Sequence, residues 1–158
     1  MRYFALYQRE FTGMPRALTA MSHTFVDYTT ANDLEEVFVQ FQGEVMTETR
    51  RCRVQCSFVR HTSMSVGDLL IDETGHLFAV MPVGFKRVRP DTVESRTELA
   101  LHLLALGLEK TPGWSELFEH DPALLGAAIV ERLRTDAYGA ARYALAPYQI
   151  PTAVKLTP

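Results

Sequence analysis

Three neighbouring side chains, His61, Ser65 and Asp68, have the residue types of a hydrolytic triad: base, nucleophile and orienting acid. Such a triad is defined by geometry, which closeness in sequence does not supply. A folding role is expected for Ser65-Val66-Gly67-Asp68 instead. Its short polar side chains suit bonds to nearby backbone, and its glycine suits a turn entering a strand. Cys52, Cys56 and His61 are the metal-capable set. Along a strand, four residues span about 13 Å, too far for two thiolates to share one zinc. The two cysteines are therefore expected to be free and buried, with no metal or cofactor. His102 is expected at the edge of a leucine-rich helix or partly buried in it, and His120 just ahead of a helix cap. Neither has a partner at ligand spacing.

Binding chemistry has more candidates than catalysis. Arg50, Arg51 and Arg53, with Arg60, form the densest basic cluster; Lys86, Arg87 and Arg89 form a second, beside Phe85. Arginines can meet phosphates or an acidic protein surface, and a phenylalanine can stack on a base. Trp114, with Leu117 and Phe118, has the composition of either a core patch or an interface anchor. Leu99, Leu103 and Leu106 mark one helical face, and Leu101, Leu104 and Leu108 another. A homodimer through residues 93–108 is one use for two such faces.

The net charge of −3 and a pI near 5.9 argue against a strongly electrostatic nucleic-acid binder. The excess acid lies wholly in residues 91–158; residues 1–90 are neutral. A solvated helix surface is the expected reading of that acid. No opening leader of charged then apolar residues is visible, nor an apolar run near the ~20 residues that span a bilayer. Two cysteines do not make a disulfide framework. A cytoplasmic protein with no membrane partner is expected.

The elements that must position these residues follow from pattern. Arg2 to Arg9 and His23 to Tyr28 read as strands, the latter with Phe25 and Asp27 opposite Val26 and Tyr28. Thr29 to Asp33 supplies helix caps, and Leu34, Val37, Phe38 and Phe41 follow at helical spacing. Glu44 to Arg51 reads as a loop. Cys52, Val54, Cys56 and Phe58 alternate, which predicts a strand. Residues 66–81 read as a hairpin turning at Asp72-Glu73-Thr74-Gly75, with Gly75 supplying a positive φ. Val83 to Val88 either continues that strand or bends away at Pro82 and Gly84. Beyond Pro90, Asp91 and Glu94 have capping-box spacing, and Thr111-Pro112 and Asp121-Pro122 open helices. Tyr138 to Leu145 reads as a final turn or two, and Pro147 to Pro158 as a tail. The expected class is α+β: a small antiparallel sheet with one packed helix over residues 1–90, then a C-terminal helical cluster over 91–158, in one compact unit.

Ser63-Met64-Ser65-Val66-Gly67-Asp68-Leu69-Leu70, the turn and second strand after it, and Gly84-Phe85 resemble the ending of the YodL-like domain. Asp33 to Phe41 is similar to that family's acidic helix, and Met1 to Arg9 to its opening strand, so the likeness covers roughly residues 1–89. These are small bacterial modules frequent on plasmids, conjugative elements and prophages. The resemblance implies a non-enzymatic accessory protein of a mobile element that binds a macromolecular partner, with an anti-defence or regulatory inhibitor as the concrete form. The candidate binding residues are Phe85, Lys86, Arg87, Arg89, Arg50, Arg51, Arg53 and Trp114. The alternative is a small nucleic-acid-binding regulator using the arginine clusters.

Overall fold

In a computed structural model, which describes residues 1–135, the chain folds as an α+β protein around one five-stranded antiparallel sheet. The elements are β1 (Arg2–Gln8), β2 (His23–Thr30), α1 (Leu34–Gln40), α2 (Glu48–Cys56), β3 (Leu69–Asp72), β4 (Leu77–Val80), β5 (Phe85–Val88), α3 (Val93–Ala105), α4 (Pro112–Leu117) and α5 (Pro122–Thr135). The sheet order is β2-β1-β3-β4-β5. The elements expected over 138–145 and 147–158 lie outside the described residues.

The sheet is buried on both faces, so its central strands are apolar on both. Phe4, Leu6, Leu69, Ile71, Leu77 and Ala79 pack with α3, α4 and α5. Tyr3, Ala5, Tyr7, Leu70 and Val80 pack with Val37, Phe41 and Val54 on the other side. That second layer contains two helices where one was expected. The extra helix is α2, which replaces the strand predicted over Cys52–Phe58 and part of the loop before it. Thr47 caps it by accepting from the Arg50 N–H. Only Val54 of α2 is buried, so the helix has no apolar stripe. Two arginines fasten it instead: Arg50 Nε and Arg53 Nη1 reach the carboxylate of Asp27 on β2 at 2.9 and 2.7 Å.

Asp27 faces α2 because of a bulge. Ala5 pairs with Asp27 and Leu6 with Phe25, leaving Val26 as the extra residue. Val26 and Asp27 thus point to the same side, and the simple alternation expected for this strand fails there. After β4, the Met81 N–H bonds the Gly84 carbonyl and the chain returns as β5, so the open choice at Pro82 resolves as a second hairpin. The first helix beyond Pro90 begins one residue later than Asp91 suggested: Thr92 is the cap, in a capping box with Ser95. Thr111 caps α4 ahead of Pro112 as expected.

The hairpin turn and α4 touch through two glycines. Gly75 has φ +82, and a Cβ on Gly113 would collide with the Gly75 carbonyl. The Gly113 N–H donates to the Thr74 carbonyl at 2.8 Å across the same contact. Gly113→Ala is expected to cost about 1–3 kcal/mol by overpacking. Gly126→Ala, in α5 with open space around it, is expected to gain about 0.5–1 kcal/mol. Urea unfolding of both variants checks the pair.

Candidate functional site

A cleft of about 440 Å³ opens between the end of the sheet, α3 and α4. Such a volume is within the range of ligand pockets. The β3–β4 turn contributes His76, the end of β5 contributes Arg87 and Arg89, α3 contributes Arg96, and α4 and the segment after it contribute Glu116 and His120. Glu116 is the electrostatic centre. Arg87 Nη2 donates to its Oε2 at 2.6 Å, and His76 Nε2 lies 3.1 Å from its Oε1. Partial burial raises the Glu116 pKa, but the hydrogen bonds from Arg87 and His76 outweigh it and hold the carboxyl below its ordinary value. On the far wall Arg96 Nη1 donates to the His120 carbonyl at 2.7 Å. Arg89 lines this opening and Lys86 lies three residues before it on β5; both are exposed, with no ion pair among the described residues. The site is thus a two-signed cleft with an unneutralised basic rim along β5.

The structure divides the sequence candidates. Lys86, Arg87 and Arg89 gather at this edge. Phe85 is half-buried at its start, packed edge-on to Phe38 at 6.4 Å, and is not an open stacking platform. Arg50 and Arg53 are on the opposite layer and serve Asp27. Arg50 also donates to the Tyr28 carbonyl at 3.1 Å and lies 4.4 Å from the Phe41 ring centre. Arg51 Nη2 donates to the Gly43 carbonyl at 2.8 Å. Trp114 packs against the core with Phe118, ring centres 4.9 Å apart. Leu99, Leu101, Leu103, Leu106 and Leu108 are all buried within the chain and Leu104 is half-buried, so the leucines of residues 93–108 are not displayed to a second copy. His102 is buried beside Glu98, deeper than the edge or partly buried position expected.

Cys52 and Cys56 are free, as expected, but exposed instead of buried. Of the candidate binding residues, Arg87 and Arg89 alone line the cleft. His76, Arg96 and Glu116 are distant in sequence, and nothing in the chain pairs them before it folds.

His61, Ser65 and Asp68 do come together, in the wrong order for a triad. A triad places histidine between serine and acid; here the acid is in the middle. Asp68 is fully buried. It accepts from the backbone N–H groups of Gln8 and Ser65, both at 2.8 Å, and its Oδ2 is 2.9 Å from His61 Nε2. The Ser65 hydroxyl donates to the Ser63 carbonyl instead. The His61 ring stacks on Tyr7 at 4.8 Å. Burial, reinforced by the Asp68 charge, pushes the Tyr7 phenol far above its ordinary pKa, so it remains protonated and donates to the Thr62 carbonyl. Asp68 therefore ties β1 to the loop entering β3.

His23 completes this region. Its Nε2 is 2.8 Å from the Gly67 carbonyl, which can only accept, so Nε2 carries the proton and Nδ1 accepts from the Ser22 hydroxyl. Burial lowers the His23 pKa below 6.5, the backbone hydrogen bond and Asp68 only partly opposing it. The unfolded chain then binds this proton at a higher pH than the folded one. The associated stability is fully present above pH ~6.5 and declines as the pH falls below it, towards the folded-state value. His23→Gln, able to keep one donor and one acceptor, is expected to flatten that decline. Urea midpoints measured from pH 7.5 to 5 check this, and an unchanged slope would refute it.

Comparison of the chain with protein-family models, curated proteins and solved structures finds no match.

Proposed function

We propose that this chain is a non-enzymatic accessory protein that binds another protein through the β5 edge and the cleft beside it. The observation that carries this reading is the basic rim: Arg89, in the lining of a cleft of about 440 Å³, and Lys86, three residues before it on β5, are both exposed and without an ion pair among the described residues. The matching partner surface is acidic. The sequence likeness to the YodL-like domain supports an accessory role on a mobile element, with an anti-defence or regulatory inhibitor as its concrete form.

The mode of contact is insertion into the cleft, not addition of a sixth strand. β5 has four residues, carries Lys86 and lies between Pro82 and Pro90. Short length, lysine and flanking prolines are the features that discourage strand pairing at an edge. A protein partner is also favoured over nucleic acid. Arg50, Arg53 and Arg87 are all held by carboxylates, which breaks up both sequence clusters as tracks for a phosphate backbone.

Lys86→Glu/Arg89→Glu leaves the internal ion pairs intact and reverses the rim. With tagged protein and host extract, the original chain is expected to retain a stoichiometric acidic protein partner. The double variant is expected to bind it at least about tenfold more weakly, a cost of about 1.4 kcal/mol. Circular dichroism and thermal unfolding should match between the two. A folded double variant with unchanged affinity overturns the site. Retention of nucleic acid, released steeply by salt, overturns the protein-partner reading.

A further inference from the structure

Cys52 and Cys56 form the strongest chemical constellation outside the cleft, and the helical form of α2 is what creates it. Four residues along a strand would separate the thiols widely. On a helix the same positions lie one turn apart on one face, with Cβ atoms about 5–6 Å apart. The orientation of that face is fixed independently. Arg50, Arg53 and Val54 point inward, the arginines onto Asp27 and the valine into the core. Positions 52 and 56 therefore fall on the outward side, and both cysteines are exposed. The last turn is closed by the Ser57 N–H donating to the Val54 carbonyl and the Ser57 hydroxyl donating to the Arg53 carbonyl. The two sulfurs are thus presented from a helix anchored at its middle and at its end.

We propose that Cys52 and Cys56 form a two-coordinate dithiolate site for a soft monovalent cation of the Cu(I) class. The donor set selects the metal. Structural zinc needs four ligands, and no group of three or more His, Cys, Asp or Glu is placed to hold a metal among the described residues. Thiolates favour soft Cu(I), which accepts linear coordination by two sulfurs. Taking the zinc–thiolate length of about 2.3 Å as an upper bound for two-coordinate Cu(I), a linear S–metal–S unit spans at most about 4.6 Å, within reach of side chains whose Cβ atoms are about 5–6 Å apart. Binding replaces two S–H bonds by two metal–sulfur bonds and releases both protons to solvent. Copper remains Cu(I) throughout, so no oxidant or reductant is required.

The test is an anaerobic titration of the full chain against Cu(I) held by bicinchoninate, following loss of the coloured complex. One Cu(I) per monomeric chain is expected. Cys52→Ser and Cys56→Ser should each weaken binding by more than about tenfold, because a single thiolate leaves half the coordination to the competitor. Both substitutions are on the exposed face, and unchanged circular dichroism verifies that the variants fold. A smaller loss in either variant overturns the site. So does one copper bridging two chains, seen as half stoichiometry with a dimer on size exclusion.

Discussion

The architecture depends on a sheet that must be covered on both faces. In β1 the residues from Tyr3 to Tyr7 are all buried, and successive side chains point to opposite sides, so each face contributes aromatic or aliphatic surface that water cannot be left to cover. One helical layer would leave half of this strand exposed. The chain therefore supplies α1 and α2 to one face before the sheet is complete, and α3, α4 and α5 to the other after it. This also explains why α3 is leucine-rich on more than one side: it lies between the sheet and α5, so both of its faces are internal. The surfaces that look adhesive in the sequence are those the two-sided sheet requires.

Covering both faces creates junctions at which polar groups are trapped, and buried carboxylates hold those junctions. Asp27 joins the sheet to α2, Asp68 joins β1 to the loop before β3, and Glu98 joins α3 to α5 through Arg132 at 3.0 Å. A buried carboxylate left without a partner is strongly destabilising, so each must be matched by cations or N–H donors. The arginines near Cys52 are recruited to this task. Basic residues clustered in sequence are consequently a poor guide to a basic surface here. The Lys86–Arg89 run differs because its strand is at the sheet edge, where no buried acid can claim every cation.

The parts of the fold that were legible are those in which one local rule acts alone. The hairpin with Gly75 in its turn, the apolar spacing of α1 and the Thr111-Pro112 helix start all formed as their residues predict. The failures occur where a tertiary contact overrides a local pattern. The sequence of α2 has no apolar period, and Cys52, Val54, Cys56 and Phe58 alternate as a strand would. What makes it helical is its Thr47 cap and the reach of two arginines to an aspartate more than twenty residues earlier. Phe58, expected on a buried strand face, is 83% exposed. The bulge at Val26 is equally silent, because nothing in His23–Thr30 distinguishes an extra residue from an ordinary one. The cleft was legible only along β5, since its other walls come from residues brought there by helix packing.

The two ends of the sheet are treated unequally, and that asymmetry is what leaves a usable surface. At β2 side chains from the covering helices engage the strand: Arg50 donates to the Tyr28 carbonyl, Gln40 Nε2 donates to the Thr30 carbonyl, and the Thr29 hydroxyl donates to the Gln40 amide oxygen. Most of β2 is buried as a result. Among the described residues no comparable layer closes β5, whose residues are half-buried or exposed. Lysine and the flanking prolines discourage a passing strand from pairing there, so the edge resists aggregation without being covered. An edge that discourages backbone pairing presents its side chains to the surroundings instead. The same constraint that encloses the rest of the sheet therefore leaves exposed charge on Lys86 and Arg89, to either side of the Arg87–Glu116 pair.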